Sequence, residues 1–122
     1  MTANCEGKGK VGIETALDIL VGKWKPVILY QIIKNGTLRF SELQRLIPDV
    51  TKKMLTTQLR ELEYHDIIHR KVYAQVPPKV EYSLTQYGES LIPLLIEMNE
   101  WGLLHLQHLD ELYGKVTSTQ ES

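Results

Sequence analysis

The stretch VTKKMLTTQLRELEYHDII, residues 50–68, restricts the fold of this chain more than any other segment. Leu55, Leu59 and Leu62 recur at i, i+4 and i+7, the spacing of one helix face. At Ile68 the period changes from helical to two. Ile68, Arg70 and Val72 alternate with His69, Lys71 and Tyr73, Ala74 to Pro78 breaks the run, and Val80, Tyr82 and Leu84 alternate again. This predicts a helix followed at once by a hairpin with a proline-stiffened loop. Upstream, Ser41-Glu42-Leu43-Gln44 has capping-box spacing, with Ser41 as N-cap and Gln44 at N3, so a short helix is expected to begin there. Pro48-Asp49 interrupts it and Thr51 can cap the next. Two helices joined by so tight a turn predict a helix-turn-helix.

The flanks complete the pattern. Residues 1–11 read as a flexible arm, followed by a short helix from about Ile13 to Val21, with Ala16, Leu17 and Leu20 on one face and Gly22 as C-cap. Pro26 fits the first turn of a second helix whose buried side is Ile28, Leu29, Ile32 and Ile33, and Asn35-Gly36 ends it. A brief extended piece runs from Thr37 to Phe40. Thr85 can cap a long last helix reaching about Tyr113, with Pro93 imposing a kink or a delayed start. A polar tail occupies 114–122. The expected fold is α+β and mostly helical: a winged helix-turn-helix over residues 12–113, with a two-stranded wing and a long C-terminal dimerisation helix.

Composition narrows the function classes. With 122 residues, 43% hydrophobic and 24% charged, the chain is large enough for one domain with its own core. No apolar run approaches the roughly 20 residues of a membrane span, and the opening MTANCEGKGK lacks the apolar segment of a signal peptide. A single cysteine, Cys5, excludes an internal disulfide framework and suits a reducing cytoplasm. The net charge of −1 hides an asymmetry: residues 1–85 hold 13 Lys/Arg against 9 Asp/Glu, whereas residues 86–122 hold Lys115 alone against six acids. A polyanion would meet the first part and be repelled by the last.

On a helical wheel centred on Leu55, Lys53, Thr57 and Arg60 lie within about 40° of the opposite pole, and Thr56 flanks them. In a recognition helix set in the major groove, Arg60 could pair with a guanine edge and Thr56 and Thr57 could meet a thymine methyl or a phosphate. Lys52 and Lys53 would neutralise backbone charge. A plain solvated face is the simpler explanation of such a helix, but the capped helix before it and the basic hairpin after it favour DNA. Arg70, Lys71 and Lys79, assigned to the tip region of the hairpin, suit a wing touching phosphates, with Arg39 at its flank; edge-strand protection by lysine is the bland alternative. The last helix has too much apolar surface for one docking face. Leu94, Met98, Trp101 and Leu104 are expected to join two copies of the chain, since soluble oligomers are mostly two-fold dimers.

Catalysis finds no support. His105 and His108 at i, i+3 with Asp110 nearby have a metal-compatible spacing, but no third ligand motif follows, so neither metal nor cofactor is expected. Glycine-rich phosphate loops and nucleophile elbows are missing from the sequence. The rival from another class is a winged-helix module for protein–protein contact, its Lys53/Arg60 face serving an acidic partner.

Taken together, GKWKP (22–26), RFSEL (39–43), KKMLTTQLRELE (52–63), VPPKVEYSLTQYG (76–88) and EWG (100–102) closely resemble the HxlR-type family of bacterial winged-helix regulators, over about Val11 to Leu112. The resemblance implies a homodimeric transcription regulator on a pseudo-palindromic operator, dimerised through its first and last helices. By position it puts DNA contacts at Lys52, Lys53, Thr56, Thr57 and Arg60. Double-stranded DNA and a second copy of the chain are then the partners; a small-molecule effector is compatible with the pattern but unidentified by it. Many members carry a redox-sensing cysteine in a Cys-Pro pair about where Val11-Gly12 stands here. Cys5, the candidate redox residue of this chain, lies six positions earlier with no proline after it.

Overall fold

A computed structural model of the chain describes residues 11–20 and 22–114. Its elements run α1 (Gly12–Leu20), α2 (Trp24–Asn35), β1 (Leu38–Arg39), α3 (Phe40–Leu46), α4 (Lys52–Tyr64), β2 (Ile68–Tyr73), β3 (Lys79–Leu84), a 3-10 turn (Gly88–Leu91) and α5 (Ile92–Tyr113). Most of the arm expected over residues 1–11, with Cys5, lies outside the described residues, as do Val21 and the tail beyond Gly114. The chain divides into two compact units after Glu89.

The core of the first unit is made by the leucines and isoleucines that the periodicity singles out. Ile28, Leu29 and Ile32 of α2, Leu43 of α3, and Leu55, Leu59 and Leu62 of α4 are each no more than 2% exposed. α2 packs against α3, α4 and β3. It ends where Gly36, at φ 81°, turns the chain and donates its N–H to the Ile32 carbonyl at 2.7 Å. Ile33, expected on the buried side, is only half-buried.

The hairpin forms as expected, with Arg70 opposite Tyr82 and Tyr73 opposite Lys79, but the sheet has three strands in the order β1-β3-β2. β1 pairs antiparallel with β3, Leu38 opposite Tyr82 and Arg39 opposite Glu81. This pairing corrects the expected start of α3. Arg39 is held extended (φ −83°, ψ 160°) by the strand, so the helix begins directly after it at Phe40, and Ser41 lies inside rather than at the cap. The acid that matters is Glu42 at N3, whose carboxylate accepts the Arg39 backbone N–H at 2.8 Å. Arginine has no acceptor to return, so only half of a capping box exists.

The wing leaves the sheet through a tight crossing. Thr85 donates its hydroxyl to the Asp66 carbonyl at 2.6 Å and accepts the Gly88 N–H at 2.7 Å. A Cβ on Gly88 would stand 2.1 Å from the Ile67 carbonyl oxygen, so glycine alone lets the chain pass here. Thr85 therefore caps the 3-10 turn rather than the long helix. That helix starts late, at Ile92, with Pro93 in its first turn where a missing N–H costs nothing.

The second unit is dominated by α5. Among its described residues only Leu95 is buried, while Leu94, Met98, Trp101 and Leu104 are 42%, 45%, 65% and 63% exposed. These four lie within about 120° of the helix circumference.

Candidate nucleic-acid interface

α4 is fixed at both ends and along one side. Its N-terminus is capped by Thr51, whose hydroxyl accepts the Met54 N–H at 3.0 Å. The turn before it, Ile47 to Thr51, is anchored by Ile47 and Val50, which are 4% and 6% exposed. With Leu55, Leu59 and Leu62 buried, Lys52, Lys53, Thr57 and Arg60 are exposed, and Thr56 is half-buried beside them. The wheel thus matches the burial residue by residue.

The threonines are less free than their exposure suggests. Thr56 Oγ donates to the Lys52 carbonyl at 2.9 Å, and Thr57 Oγ donates to the Lys53 carbonyl at 3.1 Å. Each hydroxyl proton is thereby committed to the helix backbone.

Two acids in the C-terminal half of α4 tie the helix to neighbouring elements. Glu61 accepts from Nζ of Lys25, which is 8% exposed in α2. Glu63 pairs with Nε of Arg70 at 3.4 Å. Lys25 escaped the sequence reading, although it sits at i, i+4, i+7 with Leu29 and Ile32, on the apolar stripe of α2. A lysine on such a stripe is the signal for an acidic partner, since a buried ammonium is costly unless paired.

Arg70 is accordingly corrected. Together with Lys71 it lies in the body of the hairpin, opposite Tyr82 and Glu81, and not near the tip. It joins Arg60, Glu63 and Tyr82 at the junction of wing and α4. Burial raises the Tyr82 phenol above its ordinary pKa, the charges of Arg70 and Arg60 oppose that and Glu63 reinforces it, so the ring stays neutral. Lys79 alone of the three flanks the loop. Its Nζ lies 3.7 Å from Glu81 and 4.1 Å from the Tyr73 ring centroid, and Tyr73 also stacks under Lys71 at 5.0 Å. Arg39 is exposed at the start of α3, on the strand next to β3.

On α5, His105 stacks flat on Trp101 (5.0 Å, 7°), with His108 at 6.4 Å. Among the described residues no group of three His, Cys, Asp or Glu side chains converges as a metal site, and no helix is long and apolar enough to cross a membrane.

A capped basic helix, reached by a tight turn from a short helix and packed on α2, with a hairpin tied to its far end, defines the winged helix-turn-helix class of regulator. The chain belongs to the HxlR-like helix-turn-helix family, which matches residues 19–110. It is 52% identical over 100 residues to YdeP of Bacillus subtilis (strain 168), covering 82% of this chain and 77% of that one. To YtcD of the same organism it is 47% identical over 114 residues, 93% of this chain and 87% of the relative. Both are named as uncharacterized HTH-type transcriptional regulators. Among solved structures it resembles the redox regulator HypR in its reduced form, with a TM-score of 0.78 and 48% identity over 83% of this chain and 99% of that one. The family is thus one of transcription regulators and not of enzymes.

Proposed function

We propose that the chain is a sequence-specific DNA-binding transcription regulator acting as a homodimer on a pseudo-palindromic operator. The observation that carries this reading is the outward face of α4: Lys52, Lys53, Thr57 and Arg60, exposed on a helix whose opposite side is fully buried. In the major groove Arg60 would take a guanine edge while Lys52 and Lys53 neutralise phosphates. The exposed stripe Leu94, Met98, Trp101 and Leu104 supports a second copy as partner, and two-fold symmetry then presents two α4 helices to half-sites about one DNA turn apart. Titration of the full chain against duplexes selected from a random pool, at several salt concentrations, tests the reading. Steep salt dependence with a recovered sequence preference is expected; shallow dependence with no preference would point instead to an acidic protein partner.

The wing supplies affinity more than specificity. Arg39 joins it at the flank. Because Arg70 and Lys79 already have acid partners, their contribution to phosphate binding is tempered by exchange of one anion for another. Arg70, Lys71 and Lys79 changed together to Ala are expected to loosen specific and nonspecific DNA in similar proportion. Altered base preferences with nonspecific affinity intact would instead make the wing a sequence reader.

HypR is named a redox regulator. In this chain Cys5 is the single cysteine, so any disulfide must join two subunits or hold a small thiol. Its neighbours Glu6, Lys8 and Lys10 partly cancel as thiolate-stabilising charges. Wild type and Cys5→Ser are expected to keep equal operator affinity with and without diamide. Oxidant release of wild type alone would establish a thiol switch.

A further inference from the structure

We infer that Thr57 reads the C5-methyl group of a thymine, its own methyl facing the base and its hydroxyl serving the helix. The inference rests on the proposed placement of α4 in the major groove and goes further by assigning the chemistry of one contact. Thr57 is exposed and lies about 20° from the outward pole of the helix, between Lys53 one turn before and Arg60 one turn after. Phosphate oxygens only accept hydrogen bonds. A threonine hydroxyl has one proton, and that of Thr57 goes to the Lys53 carbonyl at 3.1 Å. A phosphate contact would therefore cost an existing bond, whereas a methyl contact costs none. What remains on the Thr57 Cβ for the DNA is a methyl group and the oxygen lone pairs. In the major groove the apolar counterpart of that methyl is the thymine C5-methyl, the feature by which a T·A pair differs from its alternatives in apolar surface. Thr56 makes the same backbone bond at 2.9 Å but is half-buried and about 80° off the pole, which leaves Thr57 as the reader.

The test uses the full chain and a duplex selected from a random pool, with each thymine replaced in turn by deoxyuridine, which removes the methyl alone. At one position per half-site, wild type is expected to prefer thymine over uracil about fourfold, the effect of one buried methyl group. Thr57→Ser keeps the hydroxyl and loses the methyl; it is expected to bind the thymine and uracil duplexes equally at that position. Thr57→Val keeps a methyl and loses the hydroxyl; its thymine-to-uracil ratio should stay that of wild type. Discrimination retained by serine and lost by valine would identify the hydroxyl oxygen, accepting from an adenine or cytosine amino group, and overturn the inference while leaving DNA recognition intact. A selected duplex on which no thymine methyl matters would overturn it equally. Recovery of no preferred duplex would overturn both the inference and the function it rests on.

Discussion

Trp101→Glu and Leu104→Glu, made singly, are expected to break the proposed dimer into monomers. Both side chains are more than 60% exposed on α5, on the same arc as Leu94 and Met98. A stripe of that size left to water is unfavourable unless something covers it. Covering it with the same stripe of a second copy removes apolar area from water on both sides. A glutamate there deletes that gain, about 1.5–3 kcal/mol for a large apolar side chain, and adds the desolvation of a carboxylate, several kcal/mol more. The dimer constant should weaken more than a hundredfold, since each 1.4 kcal/mol is a factor of ten. Operator affinity should fall with it, because two half-sites then bind without linkage. The substituted positions are exposed within the subunit, so the far-ultraviolet circular dichroism of each variant should match wild type. Sedimentation velocity decides the matter. A wild type that sediments as a monomer at every concentration removes the dimer from the proposal.

Arg60→Ala and Lys53→Ala are expected to fail in different ways. Arg60 lies two turns into α4, beyond Lys53 and Thr57 on one face, within the electrostatic reach of Tyr82 at the wing junction. A guanidinium held there can give two parallel hydrogen bonds to a guanine edge. Its loss should cost about 1–3 kcal/mol and relax the preference at one operator position. Lys53, in the first turn, is suited to a phosphate. Its loss should weaken all sequences alike and lower the slope of log K against log salt by about one unit. Titrations of both variants on the selected operator and on a scrambled duplex separate the two patterns. Unchanged operator affinity in both would remove α4 from the interface.

The expectation for the last helix illustrates how far local signals reach. Pro93 demanded either a kink or a late start, and both follow from one missing N–H. The backbone takes the late start, with Thr85 closing a 3-10 turn that precedes it. For α3 the local signal misled. Ser41 and Gln44 have the spacing of a cap, yet Arg39 occupies that place because β1 is paired to β3, whose residues come more than 40 positions later. The place of Arg39 opposite Glu81 at the end of β1 goes with the extended backbone from which the helix begins, and no window around Ser41 contains that information.

What residues 50–68 determined by themselves is the face of α4. Burial of Leu55, Leu59 and Leu62 turns Lys53, Thr57 and Arg60 outward by helical geometry alone, and Thr51 marks where the helix begins. Those outcomes depend on neighbours within a turn or two, so the order of residues suffices. Tertiary structure alone decided what holds that face in position. Lys25 meets Glu61 across 36 residues, and Arg70 meets Glu63 from the body of the hairpin instead of standing near its tip. Charged side chains carry no periodic signature of their partners. Which acid answers which base is settled only when packing of the buried leucines brings separate elements to within a few ångströms.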